Sequence, residues 1–196
     1  MEPDIEAREA AEHLAAIRRI MESATKITAL PGKAALTGGA LALGGCAGSY
    51  ALMRSLDFAA LAGLPASKRA AVIALWGGVG ILAVLCDVVL SVRLARRNGR
   101  SPWSRLEQLA LYAMGPCLGV ALALTLALGA RGDWGLAPGI WMMLYGAGVW
   151  MTGILSVRAP GVLGLAFLAA GVLPLFWLSA FGLLMIALTF GLGHIV

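Results

Sequence analysis

An acid and an imidazole stand out among the apolar runs of this 196-residue chain. Asp87 lies within "VLCDVVLSVRLARRNGR", Val84 to Arg100, and His194 lies in the closing "FGLGHIV". An acid and an imidazole brought together could relay a proton, hold a small cation, or make one hydrogen bond that fixes two helices against each other. Asp87 has no partner on its own helix. The positions three and four further on are Leu90 and Ser91, and Arg93 is six away. The partner is therefore expected from another helix, with His194 first and the Lys33–Thr37 region second.

A second constellation is "WMMLYGAGVWM", which gathers Trp141, Met142, Tyr145 and Trp150. These residues could line a hydrophobic ligand pocket. Equally, aromatic side chains anchor helices at membrane interfaces and methionines fill gaps between helices. A third feature is small-residue packing. Gly44 and Gly48 form a GxxxG, and Gly45 and Ser49 repeat the spacing one position on. Without a Cβ, two helix backbones approach closely and gain dispersion contacts.

Several chemistries lack their residues. Cys46, Cys86 and Cys117 show no CxxC or Cys/His spacing, so neither a zinc site nor a disulfide framework is expected. With only His13 and His194, a haem held by two histidines has no usable pair within the bundle. Lys26, Lys33 and Lys68 sit at or outside the ends of the apolar runs, which disfavours a retinal Schiff base. "AGSYA" is not a nucleophile elbow, and the glycines fall within apolar runs rather than in a phosphate loop. No metal or cofactor is expected.

The elements that must position these residues follow from composition. The chain is 60% hydrophobic and 13% charged, with mean hydropathy +0.88. Soluble domains carry about 25% charged residues, so the bilayer is the expected solvent. The net charge of +5 does not read as a nucleic-acid footprint, because the basic residues flank apolar runs. The fold class expected is all-α, an integral membrane bundle of about six transmembrane helices. The spans are about 34–53, 70–92, 106–130, 138–156, 160–176 and 179–196. The uncharged stretch from Ala159 to Val196 is read as two passes, because one helix of that length would be about 57 Å long against a hydrocarbon core of about 30 Å. The third span carries Pro116 and is expected to kink there. Residues 1–30 lack the apolar core of a signal peptide. They read as an amphipathic cytoplasmic helix with Ala10, Leu14, Ile17, Met21 and Ala24 on one stripe.

Charge asymmetry orients this bundle. Alternate loops place eleven of the fifteen Lys and Arg on one side, among them Arg93, Arg96, Arg97, Arg100 and Arg105. That side is expected to be cytoplasmic, with both termini on it and the arginines against anionic lipid. Asp87 then stands about 9 Å along its helix from Arg93, in the inner leaflet rather than at the bilayer centre.

"HLAAIRRIMESATKITALPGKAAL", "RLARRNGRSPW", "PGIWMMLYG" and "FGLGHIV" together resemble an uncharacterised bacterial family of small polytopic inner-membrane proteins that opens with an IRxIMExS-type helix. The resemblance implies a multi-span bacterial membrane protein. It implies no activity, and it implies a last span that continues past the final histidine. The function expected is structural, regulatory or assembly work through helix–helix and cytosolic contacts, within a homo-oligomer or larger membrane complex. The alternative is a small proton- or ion-coupled transporter or channel using Asp87 and His194. A membrane enzyme ranks behind both.

Overall fold

A computed structural model describes residues 13–14, 32–99, 101, 103, 105–154 and 158–195, with the side chains of 105, 106 and 158 left aside. The expected N-terminal helix lies outside the described residues, except that His13 and Leu14 are helical and exposed. Arg100 also lies outside them.

The described residues are helical throughout their long elements, with no strand among them. They form α1 (Gly32–Met53), α2 (Ala66–Arg97), α3 (Arg105–Arg131), α4 (Ala137–Ile154) and α5 (Arg158–Phe176). A closing segment, Ser179–His194, completes the chain's described helices. Four helices are long and apolar enough to cross a membrane: Gly32–Met53, Ala66–Arg97, Glu107–Arg131 and Ala159–Phe176. α4 is not among them. Its Pro, Gly, Trp and Tyr content lowers its hydropathy, and it is the most enclosed helix, with seven buried residues.

Local chemistry sets the helix ends. α2 begins directly after Pro65, whose extended backbone (φ −52°, ψ 145°) leads the chain into the first turn. Arg96 and Arg97 in its last turn complement the partial negative charge of the helix C-terminus. The chain then leaves through Gly99 at φ 65°, a left-handed position that glycine occupies without steric cost. α3 runs unbroken through Pro116. Between α1 and α2, Asp57 Oδ1 accepts from the Ala59 N–H at 2.8 Å and caps a short 3-10 turn, Phe58–Gly63. That turn buries Phe58 and Leu61 in a core with Cys46, Met53, Val72, Leu183 and Ile186.

The helices are packed unevenly. α4 lies between α3 and α5, whereas α2 packs substantially only on α1. The α4–α5 contact is backbone to backbone. Gly139, Gly146 and Gly153 recur every seven residues on α4, as do Gly164 and Gly171 on α5. Seven residues are nearly two turns, so each series stays on one face. A Cβ on Gly146 would stand 2.8 Å from the Gly164 carbonyl oxygen, and one on Gly164 would stand 2.7 Å from that of Gly146. Gly139 and Gly171 face each other in the same reciprocal way, at 2.9 and 3.1 Å.

The closing segment changes helix type repeatedly. A 3-10 turn at Ser179–Phe181 leads to an α turn at Gly182–Ile186, a π turn at Ala187–Gly191, and a 3-10 turn at Leu192–His194. The Leu183 N–H donates to the Leu56 carbonyl at 2.9 Å, and Gly39 of α1 packs on the Gly191 carbonyl.

Candidate functional site

The one side-chain pair that joins two titratable groups deep in the bundle, among the described residues, is Tyr145 with His194. The Tyr145 hydroxyl and His194 Nε2 are 2.6 Å apart. α4 supplies Tyr145 from the same run of turns that buries Met142 and Gly146. His194 arrives through the π turn, which adds a residue to the local turn and re-aims the residues beyond it. The pair sits in an aromatic cluster. Tyr145 lies 5.1 Å from Phe167 and 4.9 Å from Phe190 between ring centroids, and the His194 ring stacks on Phe190 at 9°.

With its proton on Nδ1, the imidazole accepts at Nε2 from the Tyr145 O–H. With the proton on Nε2, the phenol oxygen accepts instead. His194 Nδ1 is buried and has no hydrogen-bond partner, although the main-chain carbonyls of Thr189 and Phe190 lie near the ring. Such a pair can fix one segment against another, or hand a proton between two sites.

The expected contact between Asp87 and His194 is not made. Asp87 is exposed on α2 and has no hydrogen bond or ion pair among the described residues. It remains within electrostatic range of the Tyr145 hydroxyl. The Lys33–Thr37 region does not reach it either, since the Thr37 hydroxyl donates to the Lys33 carbonyl of its own helix at 2.7 Å. His194 Nε2 is instead taken up by the Tyr145 hydroxyl of α4.

The aromatic and methionine residues of α4 do not line one pocket. Met142 is fully buried against Phe167 and Met185, with Tyr145 beside them. Trp141 turns the other way, and its Nε1–H donates to Thr125 Oγ1 of α3 at 2.9 Å. Trp150 is exposed. Of the small residues on α1, Gly45 packs on Trp76 and Val79, and a Cβ on Gly48 would stand 2.8 Å from Leu75 Cδ2. Ser49 is fully buried and accepts from Trp76 Nε1 at 2.8 Å. Gly44 meets nothing within 4 Å and opens onto the surface. Arg93, Arg96 and Arg97 are exposed at the end of α2. Among the described residues, no three His, Cys, Asp or Glu side chains converge as metal ligands would.

Two features escape a reading of apolar runs and polar spacing. The seven-residue glycine series on α4 and α5 is visible in the sequence once that interval is sought. The Tyr145–His194 bond depends on the π turn, for which the sequence carries no comparable signal. Comparison with protein-family models, with curated proteins and with solved structures finds no match for this chain.

Proposed function

We propose that the chain is a multi-pass protein of a bacterial inner membrane, crossing it about six times with both termini cytoplasmic. It works by assembly with other membrane helices rather than by catalysis. One observation carries the reading: Asp87 stands exposed, with no hydrogen bond or ion pair among the described residues, on a helix that packs mainly on α1. Beside it Val84 and Val88 are also exposed. In lipid, an acid costs about 2.5–3.5 kcal/mol at the bilayer centre on insertion scales and less toward the interface, and such residues normally face another helix or a polar cavity. α2 therefore carries the mark of a missing neighbour. Its complement is a transmembrane helix presenting a cation or a hydrogen-bond donor. A second copy suits less well, because parallel α2 helices of two identical chains would set acid against acid.

A photocrosslinker placed at Val84 or Val88 in native membranes tests this. A protein adduct is expected at both positions, weaker with Asp87→Asn and lost with Asp87→Leu. If both positions yield only the lipid adducts given by Val162 on α5, which is also exposed, α2 is not an assembly face.

The alternative, a proton- or ion-coupled transporter, has the Tyr145–His194 bond in its favour, with Asp87 in electrostatic range. It ranks second because two surface grooves between α1 and α2 are lined mostly by apolar side chains and none of the three residues lines either. Asp87→Asn separates the readings. A relay loses transport with the fold and the α2 adducts intact, whereas an assembly face loses adducts.

A further inference from the structure

The two grooves lie between the same helices. The first is about 530 Å³ and is lined by Thr37, Gly44 and Gly45 of α1 with Leu75, Gly78 and Leu82 of α2. The second is about 340 Å³ and continues along α2 from the shared Thr37 past Leu85, Cys86 and Val89 to Arg93. The floor is open because Gly44 and Gly78 carry no side chain, and a Cβ on either would meet nothing within 4 Å. One end is wholly apolar. The other ends at the exposed Arg93, with exposed Lys33 one turn before Thr37.

We propose that this groove binds one anionic phospholipid, with an acyl chain along Gly44 and Gly78 and the phosphate at Arg93 and Lys33. The inference rests on the reading of the chain as a membrane protein, and not on α2 as an assembly face. Length supports it. From Arg93 to Gly78 is fifteen residues, about 22 Å of helix, and one leaflet with its headgroups is about 20–22 Å. Charge supports it as well. A basic side chain near the surface favours anionic lipid, and Asp87 lies about 120° round α2 from Arg93. A second copy fits poorly, because parallel α2 helices would bring Arg93 against Arg93.

Native mass spectrometry of the full chain in mild detergent, with added phosphatidylglycerol or phosphatidylcholine, tests the site. One phosphatidylglycerol should be retained by the unaltered chain. Gly44→Leu with Gly78→Leu should fill the groove and reduce retention to background while the melting temperature holds. Arg93→Gln, at an exposed position, should lower the preference for phosphatidylglycerol about fivefold without weakening phosphatidylcholine binding. Undiminished phosphatidylglycerol retention in the double variant overturns the proposal. So does a double variant that only turns a dimer into a monomer, or an unaltered chain that holds both lipids equally. Loss of lipid with the α2 adducts preserved leaves the assembly reading in place. A chain that stays soluble without detergent refutes the membrane reading beneath both.

Discussion

The α4–α5 pair and the α1–α2 pair solve the same packing problem in opposite ways. Both use glycine, but α4 and α5 meet where neither helix has a side chain. Gly146 and Gly164 each present a backbone carbonyl to the other's Cα. Such contact favours dispersion and Cα–H···O interaction, and it has no slack. On α1, by contrast, Gly45 and Gly48 receive side chains, namely Trp76, Val79 and Leu75, which can shift to accommodate change. Gly44 receives nothing. A small residue is thus not itself an interface. What matters is whether the opposing atom is fixed backbone, a movable side chain, or open space. One half of the molecule is a locked pair and the other a helix held along a single stripe.

The sharpest way to break this comparison is to load both pairs with the same side chain. Gly146→Leu must displace the backbone of Gly164 and Leu168, where a Cβ alone would lie at 2.8 Å from both. Overpacking of this kind costs about 1–3 kcal/mol or more, and here the obstacle is main chain. We expect Gly146→Leu to be the most disruptive single change, seen as a large fall in melting temperature or loss of monodisperse protein in detergent. Gly44→Leu should leave both unchanged. Equal damage from the two would end the distinction between a locked and a loose pair.

Next in size is the bond that ties the closing segment to α4. Tyr145→Phe keeps the ring contacts with Phe167 and Phe190 but removes the hydroxyl at 2.6 Å from His194 Nε2. A buried nitrogen left without its partner costs about 1–3 kcal/mol. The loss should appear as earlier melting and as faster amide exchange at residues 187–195 than in α5. A smaller effect, about 1 kcal/mol, is expected for Ser49→Ala, which removes the acceptor of the Trp76 indole N–H. Uniform exchange along the chain in Tyr145→Phe would show that the bond does not hold the segment.

These contrasts mark what the sequence could and could not yield. Helix positions were legible because apolar runs end at Arg54, at the arginines after Val92, and at Arg131. The boundaries differ most at α2, which starts at Ala66 because Ser67, Lys68 and Arg69 are polar yet adopt helix. Enclosure was less legible. α2 holds a stretch apolar enough to span a membrane and α4 does not reach that mark, yet α4 is the more buried helix, because its glycines permit the closest approach. Pairing Asp87 with His194 by shared depth fails because the π turn brings His194 to Tyr145 instead.

The smallest effect expected in the isolated chain is at Asp87, and that smallness is itself informative. No described residue bonds to its carboxylate, so nothing within the purified protein should register its replacement by an isosteric amide. Substitutions away from buried or bonded features usually stay within about 0.5 kcal/mol. Asp87→Asn should therefore melt with the unaltered chain in detergent. In native membranes the same change should weaken the adducts formed from Val84 and Val88, because an amide is a poorer partner for a cation than a carboxylate is. The two measurements pull apart only if the partner of Asp87 lies outside this chain. If Asp87→Asn lowers the melting temperature of purified protein by as much as Ser49→Ala does, its partner is internal, and α2 belongs with the locked half of the molecule.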